Sequence, residues 1–351
     1  MRFLKKAIGI GTVILAVLAV GIVSRALFQG DFPLPRDGET KSETIAVQEN
    51  EKVSQRLIRL GRKIMVTNGT RHSVPLDTIV EGGPQKDGIP SIDVPKFISI
   101  AEASQWLSDS EPGIALEMSG VNRFYPFQIL VFHEIVNDII GGKRALVTYC
   151  PLCFSGIIFD PLVKGERAEF GTSGKLWNSN LVMYDRKTNS LWSQILGEAI
   201  VGEMTGTKLA VIPSDMIRFG EFKKLHPQGT ALSRDTGTTR LYGQDPYGDY
   251  SATPGTYFPV SKKDGRLGDK DFVLGIVVNG KAKAYWPQAV KKAGEVEDYF
   301  QGKTIVARYE KDIYAVRLFE KKSDGTLKRI SAFPNFWFSW VAAHPDTELF
   351  Q

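Results

Sequence analysis

The pattern of apolar and polar positions divides the chain into a leader, a mixed stretch and a strand-rich body. Ala7 to Val23 is an uncharged, mostly apolar run of 17 residues. It exceeds the roughly 7 to 15 residues of an ordinary secretory apolar region and approaches the roughly 20 of a spanning helix. Residues 27–85 mix Pro, Gly, charge and short apolar patches, with helical spacing over Val53 to Ile64, and are expected to be linker plus a short helix, His72 lying exposed within it. From Ala115 onward, short runs rich in strand formers alternate with turn residues. The expected fold is therefore α+β and strand-rich.

A repeat shapes that expectation further. Tyr125 to Asp160 lies over Tyr285 to Glu320 without a gap, an offset of 160 residues, pairing Tyr125 with Tyr285, Asp138 with Asp298 and Tyr149 with Tyr309. Downstream, Phe219, Phe222 and His226-Pro227 match Trp337, Trp340 and His344-Pro345. Each half is expected to run β-hairpin, helix, β-hairpin. The two histidines before proline are expected to cap helix C-termini. Residues 86–250 would be the first half, carrying a β-rich insertion from Leu162 to Val201, and residues 251–351 a second, degenerate half. Residues 1–26 would be a signal anchor or signal peptide.

Charge bears on compartment and partners. The net charge is +5, but Arg2, Lys5, Lys6 and Arg25 stand in residues 1–26 with no acid among them, so the body is close to neutral. A nucleic-acid partner has no electrostatic footprint here. Three basic residues before the apolar run put the amino terminus inside and everything after Arg25 outside. The expectation is a membrane anchor through residues 7–23 with the body facing the periplasm or cell exterior, secreted if cleavage occurs near Ser24 or Ala26.

The chain has two cysteines, Cys150 and Cys153, in Tyr149-Cys150-Pro151-Leu152-Cys153. Strand-forming residues on both sides place the pair on a tight hairpin turn. The matching turn of the second half, Glu310-Lys311-Asp312-Ile313, lacks cysteine, and Ala293 stands where the first half has His133. Three chemistries remain open. Two thiolates with His133 and the Met183 thioether would suit a soft metal, copper more than zinc, since a closed zinc site wants four ligands and a second CxxC is absent. The pair could instead cycle between dithiol and disulfide, or form a structural bridge of about 2 kcal/mol. His133 is expected on a helix from Phe127 to Ile140, sharing one face with Asn137 while Glu134 and Asp138 share the next. In the insertion, alternation puts Met183 and Asp185 on one strand face, near Asn178, as cleft candidates. No Ser-His-Asp order, phosphate loop or HExxH motif is present, so no hydrolytic nucleophile can be named.

Several motifs together resemble one family. These are Asp87-Gly88-Ile89-Pro90, Phe132-His133-Glu134-Ile135-Val136-Asn137-Asp138, Thr148-Tyr149-Cys150-Pro151-Leu152-Cys153, Phe170-Gly171-Thr172-Ser173-Gly174, Asn178 to Arg186 and Leu232-Ser233-Arg234-Asp235-Thr236-Gly237. They resemble the domain of unknown function 3179, closely over Asp87 to Tyr250 and loosely beyond. The resemblance implies membership and no particular activity. Phe154 stands where that family commonly has Gly after the second cysteine, and Phe219 where it has Trp. The leading expectation is a soft-metal site, copper before zinc, at Cys150, Cys153, His133 and Met183, with Glu134, Asn137, Asp138, Asn178 and Asp185 around it. The alternatives are a binding or scaffold module with a structural disulfide, and a thiol redox protein.

Overall fold

The computed structural model describes residues 63–351, so the apolar run and nearly all of the expected Val53–Ile64 helix lie outside the described residues. Among those described, no helix is long and apolar enough to cross a membrane. Strands hold 43% of these residues and helices 13%. They form a seven-stranded sheet, a five-stranded sheet, three four-stranded sheets and a two-stranded ribbon. The helices are short: Ile100–Ala103, Phe127–Leu130, Phe219–Leu225, Pro287–Ala293 and Trp337–Ala343.

The expected α+β fold of two hairpin–helix–hairpin halves is thereby corrected to a mainly β fold of several sheets. The seven-stranded sheet takes strands from the insertion (Phe170–Trp177, Asn180–Asp185, Leu191–Ser193, Glu198–Val201) and flanks them with Met65–Thr67, Thr70–His72 and Ile79–Glu81. Those flanking strands come from the stretch read as linker. His72 is buried, hydrogen-bonded to Thr67 at 2.8 Å and to the Val74 carbonyl at 2.7 Å. Three-residue strands give too short an alternation to stand out in a polar, turn-rich stretch. Cores also run across the expected boundary: Val74, Trp177 and Val182 pack in one cluster with Val273, Trp337 and Trp340. The offset of 160 residues describes local pairs, Tyr125 donating to Asp138 at 2.6 Å and Tyr285 to Asp298 at 2.8 Å, within sheets that share their cores.

The helix expected over Phe127 to Ile140 is also corrected. It is one turn, Phe127–Leu130, followed by the strand Ile135–Ile140. Ile135, Val136, Ile139 and Ile140 are β-branched and pack better on a pleated surface than on a helix. Glu134 takes a left-handed φ of 57°, which ends any helical path. His133 and Asn137 therefore share no helix face.

The strand Lys143–Cys150 pairs with Ile135–Ile140 on one side and Ser155–Asp160 on the other. Its last six residues are all buried, and apart from Thr148 they form the apolar run of an inner strand. This strand delivers the cysteine turn into the core.

Candidate functional site: the buried cysteine turn

Cys150 pairs with Ser155 across the hairpin, and Pro151–Cys153 forms a single tight helical turn between them. Proline suits the first position of that turn because its fixed φ is already helical and its missing N–H is not needed. Phe154 closes the turn in the left-handed region at φ 47°. Its ring stacks on Phe336 and meets Phe127, Tyr149 and Phe272 edge-on. Both cysteines are unbridged thiols, 2% and 0% exposed.

A second turn faces them. Strands Phe170–Trp177 and Asn180–Asp185 are joined by Asn178 and Ser179, with φ of 53° and 61°. Two left-handed residues in a two-residue hairpin loop match the right-handed twist of the strands. Asn178 holds the loop through Ala342 O at 3.3 Å and Ser261 N at 2.8 Å. The loop presents the Ser179 carbonyl oxygen to the thiols, 3.1 Å from Cys153 Sγ and 4.0 Å from Cys150 Sγ. Two sulfurs aimed at one carbonyl oxygen converge in space.

The two thiols differ in acidity. Burial pushes Cys150 well up, and the bond it gives to Cys153 pushes it further. Burial also raises Cys153, but hydrogen bonds from Cys150, Ser339 and Asn180 outweigh it and hold that thiol below the ordinary range. Cys153 is therefore the more acidic thiol of the pair and Cys150 the less acidic. Asn180 is fixed by Gln194 at 3.0 Å, and Gln194 in turn by Thr148 at 3.1 Å and the Ser155 carbonyl at 2.9 Å.

Glu134 enters the site from the bend just before the strand Ile135–Ile140. Its carbonyl accepts from Tyr149 N at 2.8 Å, which brings it beside the strand end that carries Cys150. Its side chain is buried, and its charge acts on both thiols and on Tyr247. Burial alone pushes the carboxyl up to about 8. Ser155 Oγ is buried beside the thiols without a hydrogen-bond partner.

The other sequence candidates, Met183 and Asn178 apart, lie elsewhere. His133 is buried, but its Nδ1 faces the Pro90 carbonyl at 2.7 Å and its Nε2 the Tyr242 hydroxyl at 2.6 Å, so neither nitrogen is available to a metal. Burial also lowers its pKa. Asn137 ties Asp93 and Phe170, and Asp138 binds Arg123 and Tyr125. Asp185 accepts from Trp192 Nε1 at 3.0 Å and from Thr188. Met183 is wholly buried in the same core cluster as the cysteines. Among the described residues, no group of three or more His, Cys, Asp or Glu could hold a metal ion. Tyr247, Tyr250 and Ser339 were missed because they come from a long loop and a distant helix. His226 and His344 do close helices Phe219–Leu225 and Trp337–Ala343, each backbone N–H donating to a carbonyl four residues back at 2.8 Å.

No curated protein and no solved structure matches the chain at a significant level. A family model does match, over residues 86–347, a span that takes in the cysteine turn, Glu134, the Ser179 loop and Ser339. The chain belongs to the family described as Protein of unknown function (DUF3179).

Proposed function

We propose that Cys150 and Cys153 work as a dithiol–disulfide redox couple, with Glu134 as the proton acceptor. The observation that carries this reading is the convergence of both sulfurs on the Ser179 carbonyl oxygen, 3.1 and 4.0 Å away, beside a buried carboxyl raised to about 8. A carboxyl poised near neutral pH can take a thiol proton and give it back. Burial of both sulfurs restricts the oxidant to a small one, and a hydroperoxide fits. The Cys153 thiolate attacks the outer peroxide oxygen, the O–O bond breaks, and the alkoxide leaves with the proton Cys153 had released. Cys153 is then a sulfenic acid. In molecules whose Glu134 is ionised, a fraction that grows as pH approaches 8, Cys150 passes its proton to Glu134 and attacks the Cys153 sulfur, and the expelled hydroxide takes that proton to leave as water. The net change is dithiol plus hydroperoxide to disulfide plus alcohol and water. An external thiol restores the pair.

A second reading is a soft monovalent cation such as copper(I) held between the two sulfurs. What favours it is the Met183 thioether in the same buried cluster. Anchoring through residues 7–23 and a site outside the cytoplasm belong to the proposal, because thiol oxidation persists there. The deciding experiment treats the purified, chelator-stripped full chain with stoichiometric hydrogen peroxide and follows intact mass and thiol count. The redox reading expects loss of two hydrogens and of both thiols, reversed by dithiothreitol. Oxidation that stalls as sulfinic acid on one cysteine sinks it. Stoichiometric copper retained before stripping, and lost in Cys150→Ser, would favour the second.

A further inference from the structure

A separate cavity of about 390 Å³ opens where the strand Pro112–Met118, the strand Asp215–Arg218 and the helix Pro287–Ala293 come together. Its walls include the rings of Phe127, Phe154 and Phe272, and three charged residues, Arg218, Glu221 and Lys291. Glu221 is 7% exposed, and its Oε2 has no hydrogen-bond partner. Among the described residues, none of these three side chains forms an ion pair, and Lys291 does no more than approach the Tyr309 ring at 5.4 Å. A buried carboxylate left unanswered in a cleft with aromatic walls is costly unless something else answers it.

The charges are ordered by depth: the anion is buried, whereas Arg218 and Lys291 are exposed. We propose that this cavity binds a small amino-acid-like zwitterion with an aromatic body. The protonated amine sits on Glu221, the ring lies among Phe127, Phe154 and Phe272, and the carboxylate meets Arg218 and Lys291. An ammonium beside aromatic faces and a buried carboxylate gains from both. The volume suits a ligand of this size. This inference is independent of the redox reading, since neither sulfur lines the cavity, although Phe154 adjoins Cys153 in sequence.

The test is calorimetric titration of the full chain with L-phenylalanine, phenethylamine and hydrocinnamate as probes. The expected result is binding of L-phenylalanine, weaker binding of phenethylamine, and none of hydrocinnamate. Glu221→Gln should weaken L-phenylalanine by about tenfold or more. If that variant does not fold, Lys291→Gln at the exposed rim serves, and it should weaken L-phenylalanine while leaving phenethylamine unchanged. No heat from L-phenylalanine overturns the proposal. So does unchanged affinity in folded Glu221→Gln, or binding of hydrocinnamate as tight as that of L-phenylalanine.

Discussion

Cys153 Sγ lies 3.1 Å from the carbonyl oxygen of Ser179, joining two hairpin turns that belong to different sheets. The contact places the acidic thiol against an acceptor that favours its protonated form, while Cys150, Ser339 and Asn180 donate to its ionised form. Two states of the pair are thus both provided with partners. A purely structural cysteine needs neither.

Glu134 makes the stability of the protein depend on pH in a defined window. Unfolded, the carboxyl titrates near 4.5; folded, it holds its proton up to about 8. Between these values the native state binds more protons than the unfolded state. Stability is therefore full below 4.5 and falls as pH rises through 8, by at most on the order of 5 kcal/mol. Urea unfolding at pH 5 and pH 8.5 should show the decline in the natural protein and a flat response in Glu134→Gln. Equal slopes in the two proteins would remove Glu134 from the account.

The two thiols should ionise in order. Thiolate absorbance against pH is expected to show Cys153 deprotonating below the ordinary cysteine range and Cys150 well above it. In Cys150→Ser the remaining thiol keeps a hydroxyl donor and stays acidic; in Cys150→Ala it loses that donor and its pKa rises. A single, unshifted transition in the natural protein contradicts the assignment of Cys153 as the nucleophile.

His133 should matter to the loop above it and not to the sulfurs. Its imidazole joins Pro90 to Tyr242, and Tyr242 in turn meets Thr236 Oγ1 at 2.6 Å. His133→Ala leaves two half-buried partners short of a bond and should cost on the order of 1 kcal/mol. Limited proteolysis should speed up within residues 233–249, while thiol titration and any bound copper stay as they were. Copper lost along with His133 would restore it as a ligand.

Phe154 sets conformational strain against packing. Replacing it by Gly relieves the left-handed φ of 47°, a gain of about 1 kcal/mol. It also deletes a ring stacked on Phe336 at 5.5 Å and touching three other rings. Removing a well-packed ring costs about 3 to 5 kcal/mol when fully buried, and less for this half-buried one. Phe154→Gly should therefore be destabilised by about 1 to 3 kcal/mol in thermal unfolding. A stabilised variant would mean that backbone strain dominates at this turn.

Much of the site was readable from short-range pattern. The CxxC turn between two strands follows from the apolar run Ala145 to Cys150 and the strand formers after Ser155, because pairing and turn chemistry act over a few residues. Family membership was readable for the same reason, from motifs that are contiguous in the chain. The passage from Phe127 to Ile140 was misread because its β-branched residues at helical spacing satisfy both periods. Packing against Lys143–Cys150 selected the strand.

Two cysteines on one turn, as the residues able to carry chemistry, and a strand-rich body were legible along the chain. The company those sulfurs keep came from long-range packing. That packing turned His133 toward Pro90 and Tyr242, brought Glu134 beside Cys150, and set Ser179, Asn180 and Ser339 around Cys153. The reason is the range of the forces involved. Local sterics and alternation specify a hairpin within a few residues, whereas the approach of one hairpin turn to another depends on how whole sheets bury their apolar faces.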